Sequence, residues 1–352
     1  MVWRKLNNYV DMWEKPVLGS EDQKDGKRFM ALCIDPTSKN PYMGIVRQVT
    51  ERVGSVDVPG YTDKSRLLIV KSDDLLKWNV VGDLRIDGIE ETLKNLGGKD
   101  KEFIGLEDPD IIIDENGIKH VYFTIPFKHK TKSTNDTTRY DVYVGHAEGR
   151  NLNNLFSTGP VLGKLNDEIA GFKEICLVPS TNIKYKTFLA ETFVSRKQGK
   201  GFSAIGIART ESLGGGWIYQ KLVHSPELES RGWCAGHTSP CRIFDPNFLK
   251  QDKYLVGIMN GREHTKIAGS KEVYGKFRPG LFLFDNKSED IVWIDENPLF
   301  EDPIASTITF ASDLVYLNDK EVILYAHPND SFVRAYRLNA FKLKALLPAQ
   351  LK

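Results

Sequence analysis

One pattern returns four times along this chain and restricts its fold more than any single residue does. It is a short apolar strand, a polar turn, and a large aromatic that opens the next strand. The copies are Leu67-Leu-Ile-Val-Lys-Ser-Asp-Asp-Leu-Leu-Lys-Trp78, Val142 to Phe156, Ala204 to Trp217 and Leu281 to Trp293. A further pair of strands precedes each copy: Phe29 to Val49, Asp110 to Pro126, Cys176 to Val194 and Pro240 to Met259. A fifth pair, Ser306 to His327, is followed by Val333-Arg-Ala-Tyr-Arg-Leu338 as its third strand. Apolar runs bounded by turn residues are the signal of strands. A repeat of roughly 50 to 75 residues with three or four strands is too long for hexapeptide or leucine-rich repeats and fits propeller blades. The expected fold is therefore all-β, a five-bladed β-propeller in one domain over 1–352, with blades near 28–83, 105–162, 172–224, 236–300 and 305–338. Hairpins packed as a sandwich would leave the recurrence unexplained.

Little else is expected to be regular. Ile89-Glu-Glu-Thr-Leu-Lys-Asn-Leu96 has apolar residues at helical spacing and a Gly97-Gly98 stop, which predicts a short helix between the first two blades. Lys128 to Thr138 is polar and lacks periodicity, so an exposed loop is expected, and Phe341 to Lys352 reads as a short helical cap.

Composition narrows the function classes. The 352 residues carry 48 Lys plus Arg against 47 Asp plus Glu, with the basic residues dispersed, which argues against nucleic acid or an anionic membrane as partner. Met1 to Pro16 mixes five charges among its apolar residues and resembles no signal peptide, and no later run approaches a membrane span, so a cytoplasmic location is expected. Cys33, Cys176, Cys234 and Cys241 form no C-x-x-C pair and read as reduced core thiols rather than disulfides or a zinc site.

The stretch Gly105-Leu-Glu-Asp-Pro-Asp-Ile-Ile-Ile-Asp114 puts acids at the entrance of a strand, with Tyr122 and Phe123 close behind. Glycoside chemistry needs a carboxyl group for the glycosidic oxygen and flat apolar faces for the sugar ring. The plainer reading is that Glu107 and Asp108 cap a turn. In a propeller, equivalent ends of the innermost strands converge on one funnel. The converging candidates are Asp35 and Arg47; Glu107, Asp108 and Asp110; Lys173, Glu174 and Glu191; His237, Asn260, Arg262 and Glu263; and Asp313. Taken singly most would be solvated charges, but acids recurring beside innermost strands are costly unless used or paired.

Glu107-Asp-Pro-Asp-Ile followed by Val121-Tyr-Phe-Thr resembles the E-D-P-R-[IV]…Y-Y-M-T-Y segment of glycoside hydrolase family 130, the mannoside phosphorylases and β-mannosidases. Phe172-Lys-Glu-Ile-Cys-Leu-Val-Pro-Ser-Thr-Asn-Ile-Lys-Tyr185 is similar to that family's K-[DN]-x-x-L-F-P-x-x-I-x-G-K-Y. Phe29 to Arg47 resembles its first-blade segment ending in Y-R, and Gly236-His-Thr-Ser-Pro240 sits at its Gly/Pro-rich entrance. The resemblance runs through roughly residues 28 to 338, with each motif degenerate. It implies Asp108 as catalytic acid, acting directly or through a sugar hydroxyl, Glu107 as its orienting neighbour, Arg47 and Lys173 as sugar contacts, and Tyr122, Tyr185 and Trp233 as stacking surfaces or core.

The departures bear on which chemistry is expected. Where family phosphorylases have Arg after E-D-P, H-R in the third blade and Y-H-G in the fourth, this chain has Asp110, Ala190-Glu191 and Met259-Asn260-Gly261. Phosphate needs cations around it, so the expectation is an inverting glycoside hydrolase on β-mannosides or related oligosaccharides, with Glu191 or Glu263 as base. Alternatives are a phosphorylase holding inorganic phosphate with His237, Arg262 and Arg47; an arabinofuranosidase or xylosidase using Asp35, Asp108 and Glu174; and a carbohydrate-binding propeller without turnover. No cofactor is called for. Asp35, Asp313 and His237 lack the tight spacing of a metal site.

Overall fold

The computed structural model describes residues 2–23, 26–130, 140–166, 169–179, 184–193, 202–251 and 253–349. The chain is all-β and folds as consecutive antiparallel units of four strands. The first is Arg28–Ile34, Tyr42–Val53, Thr62–Ser72 and Trp78–Asp83, paired in that order. The second is Glu107–Ile113, Lys119–His129, Tyr140–Asn151 and Asn154–Leu162. The third is Ile169–Val178, Tyr185–Phe193, Phe202–Thr210 and Ile218–His224. The fourth is His237–Ile243, Leu255–Arg262, Phe277–Asp285 and Asp290–Ile294.

The fifth unit departs from sequence order. Thr309–Tyr316, Glu321–Pro328 and Arg334–Asn339 supply three strands, and its fourth is Val10–Trp13, which pairs antiparallel with Arg334–Asn339 and is edged in turn by Trp3–Lys5. Val10 and Met12 turn inward while Asp11 and Trp13 are half-buried, the two-residue period of a strand with one covered face. The N-terminal segment, which lies ahead of the first expected blade near 28–83, thus pairs with the strand at Arg334–Asn339.

The first strands of the five units contact one another cyclically, with Thr309–Tyr316 returning to Arg28–Ile34. Five apolar clusters occupy the spaces between neighbouring units. The one built from Leu32, Val46 and Leu68 with Tyr325, Val333 and Ala335 joins the fifth unit to the first. A sheet buried on both faces reads as a near-continuous apolar run, which explains strands such as Phe29-Met-Ala-Leu-Cys-Ile34 and Val322-Ile-Leu-Tyr-Ala326. Of the recurring aromatics, Trp78 and Trp217 are buried between units, whereas Phe156 faces solvent.

Helices stand at Ile89–Leu96 and Ala340–Leu346, as expected, with another short one at Pro246–Leu249. The expected loop at Lys128 to Thr138 is strand through His129, and its residues 131–138 lie outside the described residues. The four cysteines are buried thiols. Among the described residues no helix is long and apolar enough to cross a membrane.

Candidate active site

Each of the five first strands breaks register with its neighbour at the same level. The shifts fall between Met30 and Cys33, between Glu107 and Asp110 (opposite Thr124 and Tyr122), between Lys173 and Cys176, between Pro240 and Arg242, and between Ala311 and Asp313. A β-bulge inserts an extra residue and re-aims the side chains around it. Three of the bulged residues, Ala31, Asp108 and Glu174, take left-handed backbone at φ 49°, 45° and 58°. Such conformations cost free energy outside glycine and persist where surrounding contacts impose them. The bulges separate two rings of side chains that a regular strand would merge.

The ring just beyond the bulges fills the axis. It consists of Cys33, Asp110, Cys176, Arg242 and Asp313. Arg242 donates from Nη1 and Nη2 to Asp110 at 2.9 and 2.5 Å and from Nε to Asp313 at 2.6 Å. The remaining carboxylate lone pairs accept the backbone N–H groups of Ile111, Ile34 and Leu314 at 2.7 to 2.8 Å. Burial pushes the Asp313 carboxyl up, and Arg242 offsets only part of that. Asp110 and Asp313 therefore serve an internal ion cluster around Arg242, a residue that the sequence reading did not single out.

The ring at the bulges lines a cavity of about 40 Å³ bounded by Ala31, Asp108, Glu174, Cys241 and Ser312. That is room for at least one water. Asp108 and Glu174 are its two bulge-borne carboxylates, from adjacent units. Arg47, on the second strand of the first unit, spans the neighbouring pair: Nη2 donates to Glu107 at 2.6 Å and Nη1 to Asp108 at 3.1 Å, while Nε donates to Ser65 Oγ at 2.8 Å. Lys173 bonds Glu174 at 2.8 Å. Burial pushes Glu107 up to about 7, with Asp108 adding to the rise and Arg47 opposing it. Asp108 is pushed up by burial too, but Arg47 and Lys173 outweigh this and hold it below the usual range. Glu174 is raised by burial despite Lys173. Three carboxylates face two cations, so the cluster as a unit retains a proton near neutrality.

Around this cluster stand His327, Asp330, Tyr61 and Tyr274, which are absent from the sequence-based set, together with the expected Arg262 and His237. His327 accepts the N–H of Ala31 on Nδ1 at 3.1 Å, leaving the proton of its neutral ring on Nε2, 3.4 Å from Asp330. Burial drives His327 down to about 3 and Asp330 up to about 6. Tyr61 and Tyr274 pack edge to face with centroids 6.4 Å apart. Arg262 lies over the Tyr274 ring at 4.2 Å, buried, and among the described residues it pairs with no carboxylate. His237 accepts the Ser203 N–H on Nδ1 at 3.1 Å, and burial, then Arg262 and Lys173, lower its basicity.

Several expected site residues are placed elsewhere. Glu191 is fully buried between the second and third units and accepts the Tyr219 hydroxyl at 2.8 Å. Burial raises it to about 6, and no group of the Asp108 cluster contributes. Glu263 is held by Lys266 at 2.5 Å and by Arg278, which lower it against the effect of burial. Neither stands with Asp108 as an expected base should. Asn260 is a strut: its amide donates to the Ala311 carbonyl at 2.9 Å and accepts the Ala311 N–H at 2.8 Å. Asp35 bonds Lys119 at 2.8 Å at the opposite end of the axis, where it lines a separate cavity of about 680 Å³ with Tyr42, Leu177 and Asp313. Tyr122 is core, its hydroxyl donating to the Leu213 carbonyl at 2.6 Å, and Trp233 is likewise buried with Nε1 on the Asp295 carbonyl; Tyr185 is half-buried.

This all-β arrangement is the fold of mannoside-active enzymes of glycoside hydrolase family 130. Similar solved structures include a β-1,2-mannobiose phosphorylase from Listeria innocua, with a TM-score of 0.64 at 11% identity, covering 96% of this chain and 99% of that one. A putative glycoside hydrolase from Parabacteroides distasonis superposes with a TM-score of 0.62 at 16% identity, over 95% of this chain and 93% of that one. A structure described with the family's hydrolases of β-1,2 mannosidic linkages in Candida mannan gives 0.60 at 18% identity, over 95% and 90%. No protein-family model matches the sequence, and no curated protein matches it.

Proposed function

We propose that the ring of five units is a five-bladed β-propeller and that the chain is a glycoside hydrolase acting on β-mannosides or related oligosaccharides, with Asp108 and Glu174 as its working carboxylates. The observation that carries this is the water-sized cavity between two carboxylates on adjacent bulges, backed by Arg47 and Lys173. Inversion requires one carboxyl group to protonate the glycosidic oxygen and another to draw a proton from water. In this reading the proton retained by the cluster reaches the leaving oxygen through Asp108, directly or across a sugar hydroxyl, with Glu107 as its reservoir. Glu174 deprotonates the attacking water and takes the place expected for Glu191 or Glu263. Arg47 and Lys173 fix the two carboxylates and meet the sugar hydroxyls, and Tyr61 and Tyr274 offer the apolar faces. The likeness to mannoside phosphorylases and glycoside hydrolases supports the substrate class.

A second reading is favoured by Arg262. A buried guanidinium that pairs with no carboxylate among the described residues, beside His237, suits an oxyanion, which points to phosphorolysis. The deciding experiment is product analysis on β-mannosides, arabinosides and xylosides, with and without inorganic phosphate. Free sugar independent of phosphate supports hydrolysis. Sugar 1-phosphate formed only with phosphate establishes the second reading. Binding with no product from any of them would leave a carbohydrate-binding propeller and overturn both.

A further inference from the structure

Away from the axis, the second unit carries an imidazole pair that the proposed chemistry does not use. His120 lies on Lys119–His129, and His146 and Glu148 lie two residues apart on Tyr140–Asn151, so the latter two share a face. Cross-strand register sets His120 directly opposite Glu148. His120 Nδ1 is 3.0 Å from His146 Nε2 and 3.6 Å from Glu148 Oε2, and the three ligand atoms lie within 4.8 Å of one another. Tetrahedral coordination with bonds of about 2.0 to 2.1 Å separates neighbouring ligand atoms by about 3.3 Å. The two shorter separations bracket that value.

The outer contacts fit as well. For His146 to coordinate through Nε2, its Nδ1 must carry the proton, and the Thr158 hydroxyl oxygen stands 2.7 Å from it. For His120 to coordinate through Nδ1, Nε2 must carry the proton. Among the described residues that buried atom has no hydrogen-bond partner, and the Asp114 carboxylate is 3.7 Å away. A carboxylate or hydroxyl behind each imidazole is the usual support of a metal-ligating histidine. Gly214 of the third unit approaches so closely that a Cβ there would fall 2.8 Å from Glu148 Oε2, which keeps that flank free of side chain. Glu148 is 43% exposed and gives access from solvent.

We propose that His120, His146 and Glu148 form a binding site for a divalent transition metal, zinc by ligand type, with its remaining position open beside Gly214. All three ligands belong to the second unit, which also bears Glu107 and Asp108, and the third unit contributes only the close approach of Gly214. Two neutral imidazoles and one carboxylate suit zinc over calcium or magnesium, which favour all-oxygen shells.

The test is titration of the chelator-treated full chain with zinc and, separately, with cobalt(II). The expected result is one zinc per chain, a tetrahedral cobalt absorption band, and a thermal midpoint that rises with zinc. Glu148→Ala, at a half-exposed position that should fold normally, is expected to weaken zinc at least about 10-fold, and His146→Ala to abolish the cobalt band. Absence of stoichiometric binding at tens of micromolar zinc would overturn the proposal. So would affinity unchanged in both variants, which would leave a bare hydrogen-bonded imidazole pair.

Discussion

Replacing Arg242 by leucine tests the axial cluster most directly. The guanidinium makes three contacts of 2.5 to 2.9 Å with the buried Asp110 and Asp313, while the Arg242 side chain itself keeps 17% exposure. Leucine removes the cation and leaves two buried carboxylates with only backbone donors and the weak Cys33 thiol. Breaking a buried ion pair from one side costs about 3 to 5 kcal/mol. With unfolding entropy near 2.1 cal/mol/K per residue, the 352-residue chain loses about 0.7 kcal/mol for each kelvin. The thermal midpoint should therefore fall by about 4 to 7 °C. The loss should also depend on pH. Burial already raises the Asp313 carboxyl beside Arg242, and loss of the cation raises it further above the unfolded value of about 3.9. Stability carried by its protonated form is complete below that value and disappears as pH rises through the folded value. The deficit should thus be small near pH 4 and full at pH 8. Arg242→Lys should fall between, since a single ammonium cannot span both carboxylates in a fork. Calorimetry across that pH range is the assay. A midpoint unchanged in Arg242→Leu, or a deficit equally large at pH 4 and pH 8, would refute the reasoning.

Other predictions concern the mouth and its supports. Because Glu107 holds its proton up to about pH 7, kcat/KM should decline above that pH, and Glu107→Gln should remove this limb; a profile that kept it would assign the ionisation elsewhere. The same raised value means that the contribution of Glu107 to stability is complete below its unfolded pKa and fades as pH rises through about 7. Asp108→Asn should cost about 10² to 10⁴ in turnover of natural glycosides and far less on substrates with acidic leaving groups, whereas Glu174→Gln should be slow on both and recover with azide; equal losses on both substrate types in Asp108→Asn would count against its role as acid. Gly105, at φ 120°, would place an alanine Cβ 2.0 Å from the Ser65 carbonyl oxygen, so Gly105→Ala should cost roughly 3 kcal/mol or more by urea midpoint and disturb the Ser65 and Arg47 contacts. Tyr219→Phe should lower stability by about 1 to 3 kcal/mol yet leave kcat within a few-fold, and a collapse of kcat would return Glu191 to the site.

The fold was legible because its signals are local and repeated. Apolar runs, turns and returning tryptophans mark where strands begin and end, and those marks survive divergence. The strand Val10–Trp13 alternates like an outer strand covered on one face, but a segment so far from residue 334 in sequence carries no mark of its pairing partner. The entrance at Glu107 and Asp108 was legible through residue type, and so were Arg47, Lys173 and Glu174. Direction was not. Residues two apart share a face in a regular strand, which put Asp108 and Asp110 in one set. A single extra residue reverses the faces, and with the bulge between them Asp108 meets Arg47 while Asp110 meets Arg242. The same shift at Pro240 to Arg242 gave no sequence signal that Arg242 would reach the axis. His327, Asp330, Tyr61 and Tyr274 come from second strands, loops and a following turn, where only three-dimensional closure sets proximity.

That geometry also changes the weight of charge in the choice between water and phosphate. Counted along the sequence, Asp110, Glu191 and Asn260 stand where phosphorylases carry cations, which argues for a site hostile to an anion. In the fold, Asp110 is neutralised by Arg242, Glu191 is turned to Tyr219, and Asn260 is fixed to the Ala311 backbone. Asp110 lines the cavity beside Asp108 but is paired there with Arg242, and neither Glu191 nor Asn260 lines it. The balance at the mouth is instead Glu107, Asp108 and Glu174 against Arg47 and Lys173, with Arg262 set apart over Tyr274. Arg262→Met separates the two chemistries: in a hydrolase it alters substrate affinity and leaves turnover indifferent to added phosphate, whereas in a phosphorylase it raises the KM for phosphate by at least about 10-fold, roughly 1.4 kcal/mol of lost anion binding. If neither parameter moves, Arg262 has no part in the site, and the anion reading loses the observation on which it stands.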